Sequence, residues 1–471
     1  MRRLAARACA PRPRFSASRP AAARHGEAHA ARLSRPAHDR YLRPPRRRAR
    51  APLVLRSHRS PPGRRPGARR GARRRRLRDR RGFAGLSTAL DCRARGLSVA
   101  VLDARRPGWG ASGRNGGQLI AGFAKDGEIE RQLGVEGARA AWALSLDAIA
   151  LVDERIARHG IDCDLARGYL SVATHPRRVP ELRQWMEGAT ARWGHPSLEW
   201  LDARAVRARI ASPRYVAGVH DPLSGHLHPL KYCLGLADAA RREGARLFSH
   251  TPAFEVVRGA RPIVRTPAGE VRCRHVVACC NAGPGGVLPA ATAARIAPVA
   301  SYIVATEPLG ADRANALIPR REAACDNNFF LDYFRLSADH RMLFGGRASS
   351  AGASPDALVD AMRKRMTGAF PQLADTRIEF AWGGFVDVTR NRAPDFGAID
   401  PNYFYLQGFS GHGVALAGIA GRIVAQAIAG DSRAFDLFAR LRHRRFPGGP
   451  AWRQPALALG MLYHRVRELL R

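Results

Sequence analysis
Paired cysteines are missing from this chain. Its eight thiols, Cys9, Cys92, Cys163, Cys233, Cys273, Cys279, Cys280 and Cys325, are scattered, and none forms a Cys-x-x-Cys pair. That pattern gives little support to a zinc site or a redox motif. Cys279-Cys280 falls in an apolar, strand-like run, so both read as buried free thiols, which fits a reducing, cytoplasmic setting. A run of about 18 apolar residues is missing too, which argues against a membrane span. No repeat recurs at a solenoid period. The first 81 residues lack lysine altogether and hold only three acids, Glu27, Asp39 and Asp79, beside 28 arginines. They also lack hydrophobic periodicity, and such a segment cannot bury enough apolar surface to offset its ordering entropy.

What is present divides the 471 residues unevenly. A net charge of +40 would ordinarily point to nucleic acid or an anionic surface. Residues 1–81 carry +25 of it and the other 390 residues +15, so the excess belongs mainly to the first segment and no nucleic-acid partner is expected. Three readings of that segment compete. It is Arg- and Ser-rich and poor in acids, as transit peptides are; it is basic, as nucleic-acid arms are; or it is translated from the wrong frame. The third is favoured by a concrete coincidence. Leu77-Arg78-Asp79-Arg80-Arg81 can be encoded CTG CGT GAT CGG CGG, and shifted by one nucleotide those bases read Cys-Val-Ile-Gly-Gly. That is the end of an apolar strand plus a glycine, joined directly to Gly82-Phe83-Ala84-Gly85.

The join matters because Gly82 and Gly85 read as the second and third glycines of a Gly-x-Gly-x-x-Gly dinucleotide turn, with Arg80 standing where the first belongs. Downstream the pattern continues as though the turn were whole. A helix runs to about Arg95 and Gly96 ends it. Ser98 to Leu102 is a short buried strand. Asp103 closes it about 20 residues past the turn, where a carboxylate accepts hydrogen bonds from an adenosine ribose. Gly108 to Gln118 holds five glycines in eleven residues, which prohibits regular structure and lets backbone N–H groups approach an anion or a planar ring. Helices are expected over 127–160, 180–193, from Pro229 to before Gly244, and over 355–367. Strands are expected over 168–174, 216–220, 246–250, 254–257, 263–265, 275–280, 300–306, 329–336, 341–344, 378–389 (interrupted at Gly383-Gly384) and 403–406. Gln407 to Gly413 then opens a small-residue helix from Val414 to about Ala429.

From Gly82 to Arg471 the chain resembles the FAD-dependent amine and amino-acid oxidoreductases of the D-amino-acid oxidase superfamily, and within it the gamma-glutamylputrescine oxidoreductase branch. The motifs that carry the resemblance are Gly82-x-x-Gly85 with Asp103, Gly110 to Gln118, Asn281-Ala282-Gly283 and Asp332 to Ser337. Trp382 to Thr389, Asn391 to Gly397, Gly408 to Gly413 and Phe446 to Gly449 complete the set, in this order. The fold this implies is α/β plus α+β. A Rossmann-like FAD-binding domain would be drawn from 82–165, 223–295 and 386–430, its first strand missing or replaced. An antiparallel-sheet substrate domain would comprise 166–222 and 296–385, with a helical tail at 431–471.

The resemblance also implies roles. Gly82 and Gly85 would bring a helix N-terminus to the FAD pyrophosphate, Asp103 would hold the ribose, and Val257 with Val256 would flank the adenine. Ser112, Gly113, Arg114, Asn115, Gly116, Gly117 and Gln118 would line pyrophosphate and flavin. Asn281, Ala282, Gly283 and Arg392 join the cofactor set, as do Gly408, Ser410, Gly411, His412 and Gly413 at the flavin pyrimidine edge. On the substrate face the catalytic candidates are His412, Tyr333, Arg335 and Trp382, with Tyr302 and Asp332 beside them. His228 reads as structural, and Asp387 with Arg392 as either a structural pair or separate groups. The chemistry implied is hydride transfer from an amine carbon to flavin N5, hydrolysis of the imine to an aldehyde or keto acid, and reoxidation by oxygen to hydrogen peroxide. The partners implied are a small amine or amino acid, with gamma-glutamylputrescine a plausible substrate, and oxygen or another electron acceptor.

Overall fold
The computed structural model describes residues 82–281, 286–346 and 355–447, all within one compact unit. The leader 1–81, Ala282, Gly283 and the chain beyond Pro447 lie outside the described residues, so the readings placed on them stand as expectations.

The chain enters through the helix Phe83–Ala94, capped at its start by Gly82. Its first turn takes its hydrogen-bond partner from elsewhere: Phe83 N–H donates to Ser112 Oγ at 3.0 Å, which satisfies one of the donors a helix start leaves open. The helix is buried on nearly every side, with Leu86 and Ala89 almost inaccessible. It packs on Gly413–Ile428, where a Cβ on Gly421 would fall 2.5 Å from Thr88 N, so the two backbones touch at the bare glycine. Asp91 adds a buried charge network. It pairs with Arg155 of the long helix Asp126–His159 and accepts from Arg422 Nε at 3.1 Å, while Arg155 also donates to Ser87 Oγ at 2.7 Å.

The parallel sheet beside this helix comes in two pieces. Ala100–Leu102 pairs with Arg246–Phe248, and Val276–Ala278 pairs with Tyr403–Gln407, both parallel; Asp395–Asp400 adds an antiparallel edge to the second piece. Among the described residues no strand joins them. Leu102 nevertheless packs in the cluster of Val276 and Ala278, and Val101 and Val277 both pack on the cluster of Leu86 and Leu90. The pieces therefore share one core. This is the Rossmann-like arrangement expected, with its first strand absent from the described residues. A separate three-stranded meander, Glu255–Val257, Ile263–Thr266 and Gly269–Arg272, holds Val257.

The second layer is a nine-stranded mixed, mainly antiparallel sheet. Its path runs Ile378–Thr389, Ile296–Thr306, Met342–Gly346, Asp332–Leu336, Ala323–Asp326, Ala166–Ala173, Ala217–His226 and Gln118–Leu119, with Glu199–Leu201 also paired to Ala217–His226. Phe334, Phe344 and Phe370 fill its apolar face together with Met362 and Met366. The strand expected to break at Gly383-Gly384 does not break. It pairs without a gap with residues 296–305, and a side chain at Gly383 would fall 2.8 Å from the Tyr302 ring. These glycines make room within a strand rather than end one. Periodicity also misses Ala323–Asp326 and Asp395–Asp400, which are short, and cuts Ala217–His226 too early, because Pro222 reads as a stop. Of the expected helical tail, the described part is one short helix, Arg433–Ala439. The seven described cysteines are unpaired. Among the described residues no single helix is long and apolar enough to cross a membrane.

Candidate active site
One cavity of about 850 Å³ opens between the two layers. Its first wall is backbone. Arg114, Asn115, Gly116 and Gln118 line it from the glycine-rich loop, and Ser410, Gly411 and His412 line it from the turn before Gly413–Ile428. Both stretches are braced by their own polar groups. Asn115 Nδ2 donates to the carbonyls of Ala111 and Ser112, and its Oδ1 accepts from Gly117 N–H at 2.7 Å. In the second turn, Asp387 is the organiser: its carboxylate accepts from Gly408 N–H at 2.5 Å and its carbonyl from Ser410 N–H at 3.0 Å. Gly408 (φ +75°) and Gly411 (φ +108°) lie in the left-handed region. Ser410 (φ 52°) and Arg392 (φ 65°) share it without being glycine, the sort of local cost that persists where the surroundings fix a functional loop.

Electrostatics at this wall favour an electron-rich ring. The helix Gly413–Ile428 points its N-terminus at the cavity. His412 Nδ1 is buried with no partner among the described residues, and burial pulls the imidazole down to about 4, so it is neutral at pH 7. Arg392 lines the cavity with its guanidinium pulled below its ordinary value by burial. It does not pair with Asp387, whose oxygens serve the 408–410 turn, so the structural pair weighed from sequence is not formed.

Of the other substrate-face candidates, one lines the cavity and four do not. Tyr333 does line the cavity; its hydroxyl bonds Ser301 Oγ at 3.1 Å and its ring lies against Gly116. Arg335, on the same strand, does not face a substrate. It is buried and donates to the carbonyls of Gly116 at 2.5 Å, Leu336 at 3.1 Å and Leu227 at 3.2 Å, pinning the glycine loop to the sheet. Trp382 likewise gives its indole N–H to the Arg114 carbonyl at 2.9 Å and holds the loop rather than the substrate. Asp332 is enclosed by Arg214 and Arg365, and Tyr302 packs on Gly383, so neither lines the cavity. His228 caps the helix Pro229–Arg242 by accepting from Lys231 N–H, a structural role as read.

The nucleotide side of the cofactor set lies at the ends of the parallel strands. Asp103 directly follows Ala100–Leu102 and is fully buried, its Oδ1 accepting from Arg105 N–H at 2.7 Å. Gly82 stands at the opening helix start, so close to Ser112 Oγ that a Cβ would collide, and Gly113 is closed off in the same way by the Gly108 carbonyl. Gly85 faces Cys279. Asn281 (φ 52°) follows Val276–Ala278 and keeps a buried Oδ1 with no partner among the described residues. Two helix starts, a strand-end carboxylate and orphaned polar atoms at His412 and Asn281 fit a flavin dinucleotide. The residues match its parts: acceptor for ribose, N–H groups for phosphate, and a neutral imidazole with a helix start for the ring edge.

The sequence comparison agrees with the geometry. Residues 81–427 match the family described as FAD dependent oxidoreductase. The chain belongs to the FAD-dependent oxidoreductase family. A gamma-glutamylputrescine oxidoreductase of Escherichia coli is 38% identical over 390 residues, covering 83% of this chain and 91% of that one. A probable oxidoreductase of Haemophilus influenzae is 39% identical over 396 residues, with the same shares covered. Among solved structures, glycine oxidase from Geobacillus kaustophilus superposes with a TM-score of 0.65 at 20% identity, over 78% of this chain and 98% of that one. L-proline dehydrogenase from P. horikoshii gives 0.65 at 19%, over 77% and 96%.

The opposite wall is where sequence reasoning finds nothing. Asp126, Trp142, Trp185, Trp193 and His195 line the same cavity from two helices and the loop after them. Periodicity assigns the three tryptophans to helices and gives Asp126 and His195 no role. The one available signal is tryptophan density, three indoles within 52 residues, which marks a packed surface as readily as a ligand site.

Proposed function
We propose that the chain oxidises the terminal amine carbon of gamma-glutamylputrescine or a closely similar amine, giving an aldehyde and ammonia. The observation that carries this reading is the cavity itself, in which a backbone wall suited to a flavin faces a wall of indoles and carboxylates suited to a cation. The 38% identical Escherichia coli relative bearing that name supports it.

Bound FAD would supply a two-electron acceptor for the hydride leaving the amine carbon. The protein's part is orientation and water exclusion. Tyr333, tethered to Ser301, presents its hydroxyl and ring edge to the amine end. The backbone of Gly116 and the Ser410–His412 turn fix the plane against which the carbon is set. Neither His412, held down to about 4, nor Tyr333, pushed up to about 12 by burial, is matched to take the ammonium proton at neutral pH. The imine released is hydrolysed by water. Oxygen is the proposed final acceptor, taking the electrons as hydrogen peroxide, and a reducing cytoplasmic setting in polyamine breakdown suits the unpaired thiols.

The test is optical. The purified chain is mixed with excess FAD, desalted, and treated with gamma-glutamylputrescine without oxygen. Loss of the yellow absorbance and its return on aeration are expected. Retained colour that no amine bleaches would overturn the substrate reading. Absence of bound FAD would favour a second reading, a chain impaired in cofactor binding.

A further inference from the structure
The cavity lining also carries a recognition pair that the proposed amine oxidation leaves unused. Asp126 is 8% exposed. Its Oδ1 accepts from Phe123 N–H at 2.8 Å and its Oδ2 from Trp185 Nε1 at 3.0 Å. A carboxylate offers about four acceptor sites, so roughly two remain. Trp142 is 2% exposed, stacks on Trp193 at 5.1 Å, and its Nε1 donor has no partner among the described residues. The two side chains meet at one spot: a Cβ on Gly122 (φ +76°) would fall 2.6 Å from the Trp142 ring and 3.0 Å from Asp126 Oδ1.

A buried carboxylate with no cation hydrogen-bonded to it is unfavourable as an ion. Burial holds Asp126 up to about 7. An ammonium seated there would restore the charge, and the indoles around it would add cation–π attraction. The orphaned indole N–H asks for an acceptor in the same ligand. Lys125, which lines the same cavity, suits an anion beside the ammonium, whereas Arg192 is paired with Glu130 at 3.0 Å. One chemistry satisfies all of these groups: an amino-acid head bearing an α-ammonium, an α-carboxylate and an amide carbonyl.

We propose that Asp126 and Trp142 are specificity-determining residues that bind the amino-acid head of the substrate, Asp126 taking its α-ammonium and the Trp142 indole N–H its carbonyl or carboxylate oxygen. This rests on the proposed amine oxidation at the opposite end of the cavity. It adds that the enzyme measures its substrate from both ends, so that a bare diamine is a poor one.

Two measurements on the full chain loaded with FAD test it. In steady-state kinetics, gamma-glutamylputrescine is compared with N-acetylputrescine, which keeps the reacting amine and the amide but has no head. Asp126→Asn is expected to lower kcat/KM for the first by roughly 10- to 100-fold, through KM, as loss of a charge-assisted hydrogen bond does. The second substrate should change less than about threefold, within a fraction of that energy. Equal losses on both substrates would make Asp126 merely structural and overturn the proposal, as would no loss on either. The other measurement needs no turnover. L-Glutamine, a head with its γ-amide, is titrated calorimetrically into wild type, Asp126→Asn and Trp142→Phe. Binding to wild type that both variants weaken is expected; no binding to wild type, or equal binding to all three, overturns the proposal. If neither amine bleaches the cofactor while L-glutamine binding still depends on Asp126, the reaction reading fails and the head site stands.

Discussion
At the proposed flavin end of the cleft, the strand Ile378–Thr389 runs unbroken, and its Asp387 holds the N–H groups of the turn that follows Tyr403–Gln407. At the nucleotide end, the described parallel strands form two pieces and the helix Phe83–Ala94 borrows its first acceptor from Ser112. Both ends present a helix N-terminus, but among the described residues only the first rests on a continuous sheet. The difference teaches that the described strands at the first end are held together by hydrogen-bonded pairing, whereas at the nucleotide end the two pieces are held together by side-chain packing in a shared apolar core. Cofactor affinity, rather than the chemistry, is expected to be the weak point of this polypeptide.

The comparison can be broken most directly by joining the pieces. Replacing Leu77–Arg81 with Cys-Val-Ile-Gly-Gly restores the end of a strand and the first glycine of the turn. FAD affinity, measured by fluorescence quenching, should rise by about 100-fold or more, or roughly 3 kcal/mol. Unchanged affinity would mean that the two pieces bind the nucleotide as well as one sheet would. Comparable in size is Asp91→Ala, which strands Arg155 in the core beneath the opening helix. Denaturant unfolding should show a loss of about 3–5 kcal/mol. A loss under about 1 kcal/mol would show that the shared apolar core, not this network, secures the nucleotide end.

Asp126 gives a pH test on the substrate side. Its carboxyl titrates near 7 folded and at an ordinary carboxylate value unfolded. The folded state therefore binds the extra proton, and stability falls as pH rises through that window and stays reduced above 7. Asp126→Asn should match wild type in Tm at pH 4 and exceed it at pH 8, by an order of a few kcal/mol at most. A Tm difference independent of pH would count against this burial cost. The smallest effect is expected at Ser112→Ala, which removes the borrowed acceptor of Phe83 N–H. Helix-cap losses of this kind cost about 1 kcal/mol, and FAD release should quicken modestly while substrate KM holds. A change in KM with unchanged FAD release would erase the distinction between the two ends.

Much of the architecture is legible because it is written in period and glycine. The long helix, the Val276–Ala278 strand, the Tyr403–Gln407 strand and the Gly413–Ile428 helix all show in their apolar spacing. The site is legible where backbone makes it, at Asn115–Gly116 and Ser410–His412. It is not legible where side chains make it. Tyr333 and Arg335 share a face of one strand, yet Tyr333 lines the cavity while Arg335 turns beneath the Gly116 loop. Alternation assigns a face, not what lies across from it. Trp382 fails for the same reason. Asp126 escapes notice because a carboxylate at a helix start looks like ordinary dipole compensation until the fold closes indoles around it.

Arg335 carries one more consequence. Among the described residues no carboxylate hydrogen-bonds it; its three partners are carbonyls, and burial lowers it only to about 10, so it remains charged. A fixed positive charge thus lies against the Gly116 carbonyl. Its field favours added negative charge in the cavity, and would raise the reduction potential of a ring resting on that loop. Holding the loop and tuning the driving force of the reaction would be, at this residue, the same act.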